Sequence, residues 1–323
     1  MRICFMATGS TRSTRQRRST SMRSAPDIGE TARMNFNAQA PAMTGKFIEA
    51  GGRRVHAHIM GSGPDVILVH GASVNARDFT FGFAQKLSQH FRVIAFDRPG
   101  MGFSDPLHPQ GESMSEQAVQ LDAAAEALGI ERAVIVGHSF GGGVAMAWAL
   151  DRPARVGAVV TVAGITMPWP ETMEAFRRLA SREPDGAELV PLISVVTSRA
   201  FTHSTLETIF APQPVPAGYG DFLLLPPERR RPSFRANSRQ IAKLAPQVAE
   251  MAKRYPSLHL PVEMVHGTHD AVGSVMVHAR QMARRLPDAR LTELAGIGHM
   301  PHHVCPEPVV AAIIRAVARA GLH

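Results

Sequence analysis

Cysteine is nearly absent: Cys4 and Cys305 are the only two in 323 residues. One lies in an atypical N-terminal stretch and the other near the C-terminus. A disulfide framework is therefore not expected, and a reducing cytoplasmic location fits. Cys305 reads as a small, partly buried thiol rather than a nucleophile. No run approaches the roughly 18 unbroken apolar residues of a membrane-spanning helix, so no membrane span is expected. No P-loop or dinucleotide fingerprint follows the first strand-like segment, and no cofactor is expected. His266 and His269 lack the helix and glutamate of a zinc arrangement, so no metal is expected either. No internal repeat is visible.

The formal charge of +8 suggests nucleic acid at first sight, but its distribution says otherwise. Arg2, Arg12, Arg15, Arg17, Arg18 and Arg23 all fall within residues 1–25, which hold no acid. The remainder is close to balanced, so no nucleic-acid partner is expected and a small-molecule substrate is. Residues 1–44 are rich in Ser, Thr, Arg and Ala and show no period. They read as a disordered basic tail, or as a stretch ahead of a true start at Met34 or Met43. Their acid-poor character also resembles an organellar transit peptide.

From Lys46 the texture changes. Residues 47–50 and 53–60 flank Gly51-Gly52 as a hairpin, since paired glycines supply the positive φ of a tight turn. Asp65–His70 is an apolar run without alternation, as in a strand covered on both faces. A helix over 78–91 follows, then a strand over 92–96. Ser113 and Glu116 form a capping box that starts a helix reaching Gly129. Ala133–Val136, a helix over 140–150 and Val156–Val162 continue the rhythm. It breaks over 166–258, a proline-rich helical stretch. It resumes with strands at 261–266 and 289–293 and helices at 275–286 and 307–320. The pattern predicts an α/β fold: a mostly parallel central sheet with helices on both faces, and a helical cap inserted after the sixth strand. The implied division is a core at 45–165 and 259–323 around a cap at 166–258.

Chemistry in such sheets sits in loops at the carboxyl ends of strands. Gly137-His138-Ser139-Phe140-Gly141 is a G-x-S-x-G motif between a strand and a helix, the context that makes Ser139 a candidate nucleophile. A serine hydroxyl needs a base, and His299 in Gly296-Ile297-Gly298-His299 follows the last strand. The imidazole needs an orienting carboxylate, and Asp270 follows the strand before. Glu263 is mid-strand and Asp288 sits at the wrong end of the sheet. Oxyanion donors are expected from the backbone N–H of Phe140 and of Ala72, with Ser73 as the alternative in the same loop. His70 reads as a brace for that loop.

These residues, with Asp97–Asp105, Gly137–Gly141 and His299-Met300-Pro301, resemble the ordered motifs of the α/β-hydrolase superfamily from Phe47 to the C-terminus. The similarity is strongest to its esterase, cofactor-free haloperoxidase and C–C hydrolase branches. It implies Ser139, Asp270 and His299 as a catalytic triad, and a serine hydrolase acting on an ester-like bond. Ser139 argues against the epoxide hydrolase and haloalkane dehalogenase branches, whose nucleophile is Asp. Ala72-Ser73-Val74-Asn75 departs from the Ser-Gly-Pro-Gly-like loop of C–C hydrolases. A C–C hydrolase, lyase or perhydrolase using the same triad is the alternative, and a slow or non-catalytic ligand receptor is the different-class one. Asp97–Asp105 reads as a structural turn. In the cap, Met167, Trp169, Met173, Phe176, Phe201, Phe210, Tyr219, Phe222 and Leu223–Leu225 are candidates for an apolar pocket, with Ser73, Trp169 and Phe222 as substrate contacts. Arg229, Arg230, Arg231, Arg235 and Arg239 read as a solvated face.

Overall fold

The computed structural model describes residues 45–169 and 199–323, with side chains at 199–204 and 227 left aside. Residues 1–44 and the cap positions Met173 and Phe176 lie outside the described residues, as does the side chain of Phe201.

Eight strands form one sheet: β1 (Lys46–Ala50), β2 (Arg53–Met60), β3 (Asp65–Val69), β4 (Arg92–Phe96), β5 (Ala133–His138), β6 (Val156–Val162), β7 (Val262–Gly267) and β8 (Ala289–Leu294). Their order is β1-β2-β4-β3-β5-β6-β7-β8. β2 pairs antiparallel with β1 and β4, and every later pairing is parallel.

The unbroken apolar runs are explained by burial on both faces. Ile67, Val69 and Ile135 join one core cluster, while their neighbours Val66, Leu68, Val134 and Val136 join the other. Successive side chains of a strand point to opposite faces, so a strand inside two layers needs no polar alternate. Each such buried side chain stabilises the fold by about 1.5–3 kcal/mol relative to exposure.

The layers match the predicted rhythm, with two corrections. The helix expected over 78–91 is two short ones, α1 (Arg77–Thr80) and α2 (Phe83–Leu87). Gly82 between them has φ 110, which no helix tolerates. α3 (Met114–Ala127) carries the expected capping box of Ser113 and Glu116. α4 (Phe140–Asp151) follows β5 and is buried along nearly its whole length. Between β6 and β7 lie α5 (Arg199–Phe210), α6 (Tyr219–Leu223), α7 (Pro227–Ala242) and α8 (Leu244–Arg254), with no strand among the described residues. The helix expected over 275–286 shrinks to α9 (Ala279–Ala283). Its first turn is drawn inward, because His278 Nδ1 accepts from the N–H groups of Thr166 and Met167. α10 (Pro301–Val304) and α11 (Pro306–Arg319) complete the chain.

Glu263 on β7 is buried and binds Arg315 and Arg319 of α11. Asp288 also binds Arg319. Both acids are thus spent on holding α11 to the sheet. Among the described residues no helix is long and apolar enough to cross a membrane.

Candidate active site

The carboxyl ends of β3, β5, β7 and β8 bring the sequence-predicted residues together. Ser139 occupies the turn from β5 into α4 with φ 53 and ψ −118, a strained conformation for a residue with a side chain. Its surroundings fix that turn. Ser139 N donates to Val162 O at 3.0 Å, and Ser139 O accepts from Ile165 N and Gly142 N. The helix presses so closely on β3 that a Cβ at Gly141 would lie 2.1 Å from Val69 O. Only glycine fits there.

His299 Nε2 lies 2.9 Å from Ser139 Oγ, and His299 Nδ1 lies 2.8 Å from Asp270 Oδ2. A carboxylate can only accept, so Nδ1 carries the proton and Nε2 presents its lone pair to the serine hydroxyl. Asp270 is fastened at its other oxygen, Oδ1, by the N–H groups of Val272 and Gly273 at 2.9 and 2.8 Å. His266 Nε2 adds a further donor 3.1 Å from Oδ2, and also lies 2.6 Å from Gly273 O. Burial alone would raise the Asp270 pKa. The charge of His299 and the hydrogen bonds from His266 and His299 outweigh it and hold the carboxyl well below its usual range.

The loop after β3 lies against Ser139: a Cβ at Gly71 would sit 3.2 Å from Ser139 Cβ. Arg98 grips this loop from behind. Its guanidinium is fully buried and donates to His70 O and Gly71 O, both at 3.0 Å. His70 Nδ1 also donates to Gly71 O at 2.8 Å, while its Nε2 accepts from Arg98 N at 3.0 Å. Burial, with Arg98 adjacent, lowers the His70 pKa to about 4, so the ring is a neutral brace at pH 7. With the Gly71 carbonyl turned towards Arg98, a planar trans peptide turns the Ala72 N–H the opposite way. Ser73 N is already committed to Asn237 Oδ1 at 2.7 Å, and Asn237 Nδ2 donates to Ser73 Oγ at 3.1 Å. Of the two expected loop donors, Ala72 is therefore the one left available. Phe140 N opens α4, and its ring lies under Arg98, 4.4 Å from centroid to guanidinium carbon.

The other expected substrate contacts pack against side chains of the protein itself. Trp169 meets His278 edge-on at 5.7 Å, and Phe222 meets Phe81 at 5.2 Å. Phe210 and Tyr219 form a small core with Leu206 and Met300, and Met167 is buried in the main core. Of the α7 arginines, Arg230, Arg231 and Arg235 are exposed, as expected of a solvated face, while Arg229 and Arg239 are half-buried. Arg229 donates to Gly102 O and Ser104 O, and Arg239 to Pro109 O, so both tie the cap to the segment after β4. Cys305 is half-buried and free.

Several contributors escaped sequence reading. Arg98 also donates to Gln240 Oε1 on α7 and Gln117 Oε1 on α3, both partners being far away in sequence. His138, inside the nucleophile motif, donates from Nε2 to His299 O at 3.0 Å. Asp78 accepts from Tyr219, His302 and His303. Side-chain N and O atoms of Asp78, His302 and His303 lie within 4.8 Å of one another, and the contacts of both rings with Asp78 make the three a hydrogen-bonded hub.

Comparison with known proteins agrees with the architecture. The alpha/beta hydrolase fold family matches residues 64–306. The chain belongs to that family. An uncharacterized protein of Mycobacterium tuberculosis is 31% identical over 279 residues, covering 81% of this chain and 79% of its own. Haloalkane dehalogenase 2 of the same organism is 26% identical over 270 residues, covering 81% and 90%. A thermophilic esterase from Thermogutta terrifontis superposes with a TM-score of 0.70 at 20% identity, covering 86% of this chain and 99% of the esterase. Esterases and a dehalogenase are thus among the proteins it resembles, within a hydrolase fold.

Proposed function

We propose that this chain is a serine hydrolase that cleaves an ester-like bond of a small, apolar substrate through an acyl-serine intermediate. The observation that carries the reading is the continuous pair of contacts Ser139–His299–Asp270, at 2.9 and 2.8 Å. His299 Nε2 takes the proton of Ser139 as Oγ attacks the carbonyl carbon. Asp270 holds the imidazolium that forms, without itself being protonated. The oxyanion is received by the N–H groups of Ala72 and Phe140, at a helix N-terminus that favours negative charge. His299 then returns its proton to the leaving alkoxide. Water repeats the sequence on the acyl-serine, with His299 again as base.

Ser139 itself separates this reading from dehalogenase chemistry, which needs an aspartate nucleophile. An apolar substrate is supported by Ile165, an apolar residue of the chain leaving β6 whose side chain lies against the Asp270 turn at Gly273. Ile165 N donates to Ser139 O. The division into a core at 45–165 and 259–323 with a cap at 166–258 belongs to the same reading.

Short p-nitrophenyl esters test it. The wild-type chain is expected to release p-nitrophenol with a stoichiometric burst followed by steady turnover, and Ser139→Ala to show neither. Steady turnover by Ser139→Ala at the wild-type rate defeats the reading. Silence towards all esters, with turnover of diketones or peroxide, moves the chemistry elsewhere.

A further inference from the structure

His299 sits in a loop whose glycines, Gly296 and Gly298, give its backbone freedom. Something has to hold that loop if Nε2 is to stay within reach of Ser139. The side-chain amide of Gln213, in the cap segment between α5 and α6, does so on the N-terminal side. Its Nε2 donates to Gly296 O at 2.7 Å, and its Oε1 accepts from Gly298 N at 2.9 Å. Both functions of one amide are used on the two peptides that flank Ile297, two residues ahead of His299. Gly298 lies directly beneath the cap backbone: a Cβ there would be 2.0 Å from Ala211 O.

The same cap segment reaches the C-terminal side. Tyr219 OH donates to Asp78 Oδ1 at 2.7 Å. Asp78, fully buried, also accepts from His303 Nε2 at 2.7 Å and from His302 Nε2 at 3.2 Å. These histidines lie on α10, three and four residues beyond His299. Tyr219 and His303 also meet ring to ring at 4.9 Å.

We infer that residues 211–219 of the cap are a clamp that positions His299, with Gln213 as its principal positioning residue and the Tyr219–Asp78 contact as its second arm. Cap and general base are then one mechanical unit, and a cap lifted away releases the base. Gln213 does not touch the reacting atoms; it acts through the backbone of His299. A displacement of about 1 Å in a catalytic group is enough to cost up to a hundredfold in rate. The inference rests on the reading of His299 as the base, so its test includes a readout that needs no turnover.

Gln213→Leu keeps the shape and removes both hydrogen bonds. Gln213→Glu keeps the acceptor for Gly298 N and loses the donor to Gly296 O. Tyr219→Phe removes the second arm alone. Three readouts are compared: kcat and KM on p-nitrophenyl esters, the downfield proton resonance of His299 Nδ1–H, and the melting temperature. Gln213→Leu is expected to lower kcat by about ten- to hundredfold with KM nearly unchanged. Its Nδ1–H resonance should broaden through exchange with water. Gln213→Glu and Tyr219→Phe should fall between it and the wild type. A folded Gln213→Leu with wild-type kcat and a sharp resonance overturns the clamp. A rise in KM with unchanged kcat also overturns it, by making Gln213 a substrate contact. If Gln213→Leu does not fold, Gln213→Glu and Tyr219→Phe carry the same test. If the wild type hydrolyses no ester, the proposed function fails, and the resonance alone decides the clamp.

Discussion

His266 Nε2 lies 3.1 Å from Asp270 Oδ2, the oxygen that also receives His299 Nδ1. The acid of the candidate triad therefore has two histidine donors, and only one of them faces the serine. His266 lies on β7 and is buried, so its donor is set by the sheet rather than by a loop. Removing it takes away one of the two donors at Oδ2, while Oδ1 stays held by the N–H groups of Val272 and Gly273. His266→Ala is expected to lower kcat by about tenfold, the cost of one hydrogen bond to a charged group, with little change in KM. Steady-state kinetics with Asp270→Asn as the reference check this, because that variant should lose far more, on the order of 10⁴-fold.

Arg98 offers a second test. Its fork holds the carbonyls of His70 and Gly71 and so sets the direction of the Ala72 N–H. Lysine keeps the charge but has no planar fork. Arg98→Lys should reduce kcat by about 10²-fold or more, the scale of a lost oxyanion donor. The residual activity should be matched by Asn237→Ala only in part, since Asn237 fixes the neighbouring Ser73. Wild-type kcat in a folded Arg98→Lys would detach the loop from the chemistry.

The turn at Ser139 is a stability test. A methyl at Gly141 would meet the backbone oxygen of Val69 at 2.1 Å, and backbone cannot swing aside as a side-chain tip can. Gly141→Ala should cost about 3 kcal/mol or more and yield little soluble protein. Thermal unfolding and soluble yield measure it.

Buried histidines set the acid limit of stability. Burial is the first cause in each case and lowers the pKa of His70 and His302 from 6.5 to about 4, and of His278 to about 3. Below pH 6.5 the unfolded chain takes up these protons while the folded chain does not. Stability is then complete above about pH 7 and is lost as pH falls from 6.5 towards 4. Asp78 and Asp97, held below the usual carboxylate range despite burial, add losses only at still lower pH. Melting temperature should drop by at least about 5 °C between pH 7.5 and pH 5. A flat profile over that interval contradicts the burial argument.

Much of this was legible in the sequence, for local reasons. β6 at Val156–Val162 was readable because a strand covered on both faces is apolar nearly throughout, Thr161 being its one polar side chain. Ser139, Asp270 and His299 were readable because each follows a strand in the order this fold uses. Arg98, Asn237, Gln240 and Gln213 were not. Each acts on a partner remote in sequence, as Arg98 and Gln240 do across 142 positions, and no periodicity or short motif encodes such a meeting. The split of 78–91 at Gly82 and the shortened helix at Ala279–Ala283 were missed for a related reason: a single glycine and one inward-turned histidine overrode helical spacing.

The central claim is that Ser139 is the nucleophile, and that His299 activates it. Intact-mass measurement after exposure to a fluorophosphonate tests this most directly. Wild-type protein should gain one phosphonyl group per chain, Ser139→Ala none, and His299→Ala one only at a far slower rate. An adduct on Ser139→Ala, or equal rates for the wild type and His299→Ala, would contradict it.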